Sequence, residues 1–479
     1  MAMQTRILQS FSGVRQDKND YISSPDTSPN ACNMNTLDGC LSVAKGFSRA
    51  VPLAVPAPQG DYLKRLYVYA RPDGLRYLVC TDTRLLVWSE DDAEWKTLFR
   101  FGFRIDANQV DFLPIKIGSD DQLLIAYGRE QLLKWDGQSS AAAYFGSSEQ
   151  KSNAAQNYLE QYFGRLFAAG NPDASCRLFW SKTPGDSRTV EDWRVDDASP
   201  DVSGGFVDVG TDSDPITGLF ALSNQLLIFK RDTLYRLLGD RPSNYRVLSV
   251  DAAFSRPLHT ACVRYADRLY FLTKTGLCCF DGQTVRRPSG FRALHRLLEA
   301  SDLDHCMAAA SGDILYFAIR ENLQSAYNDV LIEYDLMRGT FMIRRGFQIG
   351  GLCAARGELY VLTGAGLVER FDDSVTYDGW PIEAWWETPR IDFGSKSHDK
   401  ALGELSCTGT GDPMKITVKC DGRNYDSVLT FPDEDDSAAE AVLRGEGRVI
   451  RLRFSNIDGG HFTLDTGVTV RFDAQLRPE

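Results

Sequence analysis

Apolar residues recur in paired strand patterns along most of this 479-residue chain. Each unit has an apolar strand, a short turn and a second strand that ends in a bulky residue, which Asp and Gly often follow. The units are separated by about 37 to 57 residues, and this spacing centres on the length of one four-stranded propeller blade. The bulky residues that end the seven units are Trp88, Trp135, Trp180, Leu237, Phe280, Tyr334 and Phe371. The repeat therefore predicts an all-β chain with a β-propeller of about seven blades.

The polar positions favour strands that are covered on both faces. Around residues 269–273 the alternation leaves no clean polar face, as expected for strands inside a propeller. The two longest intervals are predicted to hold loop insertions at 184–214 and 321–328, because surface loops absorb extra residues cheaply. Helical spacing of apolar residues is best developed at 291–303, which predicts one short helix.

The pattern changes towards both ends of the chain. Residues 12–60 are rich in Ser, Pro, Asn and Asp and lack a long strand or helix. We therefore expect 1–60 to be an extended arm that packs along the propeller, predicted over 61–375, or onto an adjacent subunit. After a linker at 374–382, about six strands separated by turns predict an antiparallel β-sandwich over 376–479.

Composition and charge narrow the function. Hydrophobic residues make up 43% of the chain and charged residues 25%, which is typical of a folded globular protein. The formal net charge of -12 opposes the attraction to phosphate on which non-specific nucleic-acid binding depends. No start typical of a signal peptide and no apolar stretch of about 18 residues is present, so we expect a soluble product made in the cytoplasm, without a membrane span.

Motifs for metal, cofactor or redox chemistry are missing from the sequence. The eleven cysteines are odd in number and several lie in apolar strand patterns, which favours reduced, buried thiols. No CxxC pair, no closely spaced histidine pair and no phosphate-binding glycine motif occurs. We therefore predict a protein with no catalytic residue, no metal and no cofactor.

Two short stretches weakly resemble functional motifs. Ser89, Asp91 and Trp95 resemble part of a sialidase repeat, but the glycine is missing and the spacing is short, so we interpret them as a turn with a packed Trp. Asp212 and Asp214 have the oxygen ligands that calcium prefers. Aspartates in a turn more often bond their own backbone, and a solvated turn is the favoured interpretation.

The tandem residues Trp385 and Trp386 are the candidate subunit contact. Successive side chains of a strand point to opposite faces of its sheet. One Trp is therefore predicted in the core, and the other is predicted as an exposed aromatic that can anchor a neighbouring subunit.

Three stretches together resemble the propeller proteins of bacteriophage tails, of the stabilisation or tail nozzle type. The first is an N-terminal series of motifs, the second is the propeller repeat, and the third is the segment that begins at WWETPRIDFG. The N-terminal motifs fall at Phe11 and Gly13, Ser28 to Asn33, Gly39 to Leu41, and Lys45 with Gly46.

This resemblance implies a structural protein of the virion tail. It implies a ring of copies, commonly a hexamer, around the DNA exit channel, connecting portal or adaptor proteins to the distal tail. DNA would pass during ejection without sequence-specific binding. A receptor- or glycan-binding propeller appendage is the alternative, and a propeller glycoside hydrolase is the least favoured of the three functions.

Overall fold

The computed structural model describes residues 3–19, 23–58, 60–105, 110–146, 155–185, 189–195, 198–231, 233–250, 258–395, 397–432 and 437–476. Strands dominate these residues, so the predicted all-β class is confirmed. A short helix, α1 (His295–Ala300), lies inside the stretch with helical spacing. In the described part of the chain, no helix is both long enough and apolar enough to cross a membrane.

The N-terminal segment contributes five short strands to sheets elsewhere in the molecule. Apart from the pairing of β3 with β4, every partner of these strands comes from beyond residue 360. The strands are β1 (Gln4–Leu8), β2 (Asn30–Cys32), β3 (Met34–Asn35), β4 (Leu41–Val43) and β5 (Phe47–Arg49).

Seven sheets then follow in series, here called sheets 1 to 7, and only the pairing of Tyr377 with β5 in sheet 7 is parallel among the pairings of their described strands. In sheets 1 to 6, four strands pair in chain order. Sheet 1 holds β6 (Leu63–Arg71), β7 (Gly74–Thr81), β8 (Arg84–Ser89) and β9 (Glu94–Arg100). Sheet 2 holds β10 (Asp111–Ile117), β11 (Asp120–Ala126), β12 (Leu133–Trp135) and β13 (Ala143–Tyr144). Sheet 3 holds β14 (Tyr158–Tyr162), β15 (Arg165–Ala169), β16 (Arg177–Trp180) and β17 (Gly205–Asp208).

The remaining serial sheets continue this order. Sheet 4 holds β18 (Ile216–Leu222), β19 (Gln225–Lys230), β20 (Leu234–Leu238) and β21 (Arg246–Val250). Sheet 5 holds β22 (Cys262–Tyr265), β23 (Arg268–Thr273), β24 (Gly276–Phe280) and β25 (Val285–Arg286). Sheet 6 holds β26 (Asp302–Ser311), β27 (Ile314–Arg320), β28 (Val330–Asp335) and β29 (Thr340–Arg344). Sheet 7 has the order β30 (Ile349–Ala355), β31 (Glu358–Thr363), β32 (Val368–Phe371), β5, β33 (Thr376–Tyr377) and β34 (Trp380–Pro381).

The aromatic-Asp signature of the repeat marks the turn after the third strand. Each of the seven bulky residues that end the sequence units lies on the third strand of its sheet. In three sheets the next residue, Asp136, Asp281 or Asp335, accepts hydrogen bonds of 2.7–3.0 Å from the backbone amides two and three residues later. An aspartate that bonds its own backbone in this way stabilises a tight turn, which explains why the motif recurs.

Neighbouring sheets share apolar clusters, and the seventh packs against the first. A Cβ atom at Gly351 on β30 would lie 2.6 Å from the backbone nitrogen of Leu66 on β6, so only glycine allows this approach. The Val68 amide of β6 also donates to Cys353 Sγ of β30 at 3.3 Å. The series of sheets therefore closes on itself.

Strand β5 of the N-terminal segment is part of sheet 7, the sheet that packs against sheet 1. It pairs antiparallel with β32, and Tyr377 of β33 pairs with it on the other side. The Phe47 ring stacks on Tyr377 at 4.7 Å between ring centres, and Arg49 binds Asp378 at 2.9 Å. The predicted linker at 374–382 is thus partly strand, because β33 and β34 extend sheet 7 outward.

The C-terminal region forms three further sheets, each of which takes edge strands from the N-terminal segment. The strands are β35 (Trp385–Glu387), β36 (His398–Cys407), β37 (Gly409–Gly411), β38 (Met414–Cys420), β39 (Arg423–Leu429), β40 (Ala439–Val442), β41 (Glu446–Gly447), β42 (Ile450–Asn456), β43 (Phe462–Leu464) and β44 (Val468–Leu476). Sheet 8 has the order β1-β44-β36-β40, with β41 also on β36. Sheet 9 has the order β2-β35-β42-β38-β39, and sheet 10 has the order β3-β4-β43-β37. Sheets 8 and 9 bury their apolar residues in one common core.

Candidate interaction surface

Trp386 belongs to the core of the molecule. It lies on β35, its cross-strand neighbour on β42 is Phe454, and its side chain is 0% exposed. The Phe11 ring of the N-terminal segment packs edge-on against it, with 5.7 Å between ring centres. Of the two tandem Trp residues predicted as a subunit contact, Trp386 is therefore the one in the core, and its side chain is not accessible to a neighbouring subunit.

Trp385 points to the opposite face of sheet 9 and is half-buried. Its indole nitrogen donates to Asn30 Oδ1 of β2 at 3.3 Å, and the Arg453 guanidinium lies over its ring at 4.7 Å. Stacking of this kind holds both side chains in a fixed position at the surface. A subunit contact through Trp385 stays a prediction.

The same face of sheet 9 carries a network of charges. Glu387, on β35, is nearly fully buried and binds Lys419 at 2.6 Å and Arg451 at 3.0 Å. Further along the sheet, Lys415 binds Asp426 at 2.8 Å. This face of sheet 9 is therefore polar, and ion pairs order its charged side chains.

Trp380 is a surface aromatic that was not predicted from the sequence. This residue is 75% exposed and lies on β34, the outer edge strand of sheet 7. The turn before it, Asp378–Gly379, has positive φ at both residues, as a two-residue hairpin requires. The Asp-Gly pair in YDGW was the available signal, because it predicts a hairpin that leaves the following aromatic at an edge.

A buried acid lies where the first strands of sheets 2 and 3 meet. Asp111 Oδ1 is 3.2 Å from His259 Nε2, and Asp111 Oδ2 accepts the Leu159 amide at 2.9 Å. Burial alone would raise the pKa of Asp111, but His259 and the amide outweigh burial and lower it. By accepting a hydrogen bond from the Leu159 amide, the Asp111 carboxylate links sheets 2 and 3.

A second acid makes the same kind of link one sheet further on. Glu160 Oε2 accepts the Ala221 amide of sheet 4 at 3.0 Å and lies 3.2 Å from Arg264 Nη1. Burial raises the pKa of Glu160, and the arginine only partly offsets this effect. Both acids are thus engaged in holding sheets together. Among the described residues, no group of three His, Cys, Asp or Glu side chains could hold a metal ion.

The sialidase-like stretch lies in the hairpin between β8 and β9. Ser89 Oγ donates to Asp92 at 2.7 Å, and the Trp95 indole donates to the Leu53 carbonyl at 2.9 Å. Trp95 also packs edge-on against Trp88. The interpretation as a turn with a packed Trp is confirmed by this arrangement.

The aspartates considered for calcium bind protein groups. Asp212 accepts the Cys176 thiol at 2.6 Å, and Asp214 accepts the Arg231 amide at 2.9 Å. All eleven cysteines are free thiols and nine of them are buried, in agreement with their positions in apolar strands.

Comparison with known proteins gives no family. No family model and no curated protein matches the chain. Among solved structures, BamB from Moraxella catarrhalis is 11% identical, with a TM-score of 0.38, and the match covers 78% of this chain and 98% of that one. The WD40 domain of Neurospora crassa Pan2 is 10% identical, with a TM-score of 0.41, over 69% of this chain and 96% of that one. Likenesses this distant indicate no function.

Proposed function

We propose that this protein is a non-enzymatic structural component of a bacteriophage virion tail, in which a seven-bladed β-propeller is followed by a C-terminal β-sandwich. Copies of the chain would form a ring around the DNA exit channel and connect portal-proximal to distal tail proteins. The resemblance of the N-terminal motifs, the repeat and the WWETPRIDFG segment to tail nozzle proteins suggested this role.

The observation that carries the proposal is the bracing of the chain by its first 49 residues. Strands β1 to β4 complete the edges of sheets 8, 9 and 10, and β5 lies in sheet 7. The core is continuous from Phe11 and Met34 into both regions. A body braced in this way resists bending between its parts, as a load-bearing tail component must.

Two features support the propeller and the sandwich. Contact between the seventh and first serial sheets closes the series, which is how a propeller leaves only short, protected edges. The shared core between sheets 8 and 9 is the packing expected of two sheets in a sandwich.

Two surface patches suit a ring. A head-to-tail contact that closes a cyclic oligomer uses two different patches on each copy. Trp385 with Arg453 on sheet 9 and Trp380 on the edge of sheet 7 are two such patches, since Trp and Arg are enriched where binding energy concentrates.

The test is the location of the protein in virions and the effect of its surface tryptophans. We expect tagged protein in the tail by electron microscopy, and tail-defective particles when Trp380 and Trp385 are both replaced by Ala. The matched control replaces Leu323 and Met337 by Ala, and we expect normal particles from it, because these exposed apolar residues lie in the connections between strands of sheet 6. Particles that lack the protein yet keep a complete, DNA-retaining tail would refute the proposal. Saturable binding on a glycan array without such a defect would favour the receptor-binding alternative.

A further inference from the structure

A small cavity lies where the first strands of sheets 6, 7 and 1 meet. Its walls come from β26, β30, the start of β6 and the connection that leads into β28, and its volume is about 220 Å³. Sites for drug-sized ligands have volumes of about 300–1,000 Å³, so this cavity suits a single side chain. Much of its wall is apolar or aromatic, with contributions from Tyr62, Met307, Tyr327 and Ile349.

One polar group in this wall has no partner. Asn328 is 1% exposed, and its side-chain nitrogen donates to the His305 carbonyl oxygen at 2.8 Å. Because a carbonyl oxygen can only accept, this contact identifies the nitrogen of the amide, and Oδ1 is the other atom. Asn328 Oδ1 is buried and accepts no hydrogen bond from the described residues. A buried acceptor without a donor is costly, so the cavity favours a ligand that brings an N–H or O–H group.

Trp380 has the complementary chemistry. It is 75% exposed on the edge strand β34, and its side chain has no hydrogen bond or ring contact with any described residue. An indole has one N–H donor and no acceptor, and this donor usually finds a partner when the ring is buried. The hairpin that carries Trp380 is held in place by the stacking of Tyr377 on Phe47. Docking of an aromatic side chain from an ordered hairpin costs little conformational entropy.

The charges around the two surfaces are also complementary. Lys64 lines the cavity, and no carboxylate is among the described lining residues. The acid that Lys64 binds at 3.2 Å, Asp82, is shared with Arg104 at 2.8 Å. Two exposed acids, Asp373 and Glu383, flank the β33–β34 hairpin, and neither has an ion pair among the described residues. An acidic hairpin and a cationic rim attract each other and orient the surfaces as they meet.

We propose that Trp380 of one copy inserts into this cavity of a second copy, where its indole N–H donates to Asn328 Oδ1. The hairpin and the cavity are different surfaces, so each contact leaves a free hairpin on one copy and a free cavity on the other. A cyclic oligomer uses both surfaces of every copy. A single aromatic side chain buried in a pocket is also where binding energy concentrates in protein interfaces. This inference rests on the proposed ring and names the surface that receives Trp380.

Sedimentation velocity of the full chain over a range of concentrations tests the contact. We expect self-association that Trp380→Ala weakens at least about tenfold, because the inserted ring is lost. Trp380→Phe keeps an aromatic ring without the N–H donor, so its affinity should lie between the two. The control Met337→Ala truncates another exposed apolar side chain and should associate as the unchanged protein does.

The hydrogen bond is tested by combining substitutions on the two surfaces. Asn328→Ala, once its melting temperature is shown to be close to that of the unchanged protein, should weaken self-association. It should have no further effect in the Trp380→Phe background, where the N–H donor is already missing. An equal loss of affinity in both backgrounds would reject the hydrogen bond.

The receiving surface is tested by photo-cross-linking from position 380. The photoreactive residue p-benzoylphenylalanine replaces Trp380, and mass spectrometry locates the links between copies. We expect these links at Tyr62, Met307 or Tyr327 of the cavity. This experiment leaves the cavity unchanged, so its outcome does not depend on the folding of a cavity variant.

Three results would overturn the inference: no self-association at any concentration, self-association that Trp380→Ala leaves unchanged, and cross-links confined to other surfaces. A closed dimer with links at the cavity would support the docking of Trp380 but contradict the proposed ring. Tagged protein in virion tails with links elsewhere would support the tail role and reject the cavity as the receiving surface.

Discussion

The serial sheets and the C-terminal sheets are built from the chain in opposite ways. In sheets 1 to 6 every strand pairs with the strand just before or after it in the sequence. In sheets 8 and 9, by contrast, Gln4 pairs with Phe472 and Asn30 with Glu387. The first region is assembled from local contacts, whereas the second needs the two ends of the chain to meet.

This difference indicates which of the two regions depends more on the N-terminal segment. Only one of the serial sheets, sheet 7, contains an N-terminal strand, but all three C-terminal sheets do. A strand at a sheet edge covers backbone groups and apolar side chains of its neighbour. Its loss therefore exposes these groups and destabilises that sheet in particular. The C-terminal region should therefore be the more sensitive of the two to changes in the first 49 residues.

Deletion of residues 1–45 should have the largest effect. It removes β1 to β4 together with Phe11 and Met34 of the shared core. We expect the C-terminal region to become sensitive to protease while a fragment covering 61–375 survives, as measured by limited proteolysis and mass spectrometry. Deletion of residues 1–3 keeps all five strands and serves as the control. Equal resistance of both regions after the long deletion would contradict the comparison.

Replacement of Trp386 by Ala should come next. This fully buried side chain joins β35 to Phe11, so its truncation leaves a cavity in the core and lowers the free energy of unfolding by about 4 kcal/mol. Chemical denaturation gives this value, and Trp385→Ala, on the exposed face, should cost less than about 1 kcal/mol. Similar losses of unfolding free energy in the two variants would contradict the assignment of Trp386 to the core and of Trp385 to the exposed face of sheet 9.

The stability of sheet 7, in which β32 pairs with β5, should depend on pH through Glu369. This residue of β32 lies opposite Arg49 of β5, is 0% exposed, and burial raises its pKa to about 7. Because the folded state holds the proton more tightly than the unfolded state does, stability falls as pH rises from about 4.5 to about 7 and is constant above.

Glu369→Gln removes this titration while keeping the shape of the side chain. We expect the melting temperatures of the two proteins to agree near pH 4, and the variant to be more stable at pH 8 by on the order of 3 kcal/mol. Differential scanning fluorimetry across this range gives the comparison. A constant difference at all pH values would show that ionisation of Glu369 is not the cause.

Loss of a turn aspartate should have the smallest effect. Asp281→Ala removes two hydrogen bonds to backbone amides after the third strand of sheet 5, and we expect a loss of about 1 kcal/mol. Thermal denaturation measures it, with Asp373→Ala, an exposed residue, as the control. No difference between the two variants would show that the recurring aspartate does not stabilise its turn.

The sequence by itself determined the all-β class and the repeat. Phe280 and Asp281 show why: an apolar third strand followed by an aspartate turn is formed by residues close together in the chain. The second and third strands were visible because they are buried on both faces, as in β23 and β24. Fourth strands such as β9 and β21 are less buried, and their pattern is correspondingly weaker.

The exposure of individual side chains was decided only by the tertiary structure. Alternation along β35 required Trp385 and Trp386 to face opposite ways, but the approach of Phe11 from the other end of the chain buried Trp386. Local sequence patterns depend on residues that are close together in the chain. The contact of Phe11 with Trp386 instead requires a loop closure over hundreds of residues, which no short-range periodicity encodes.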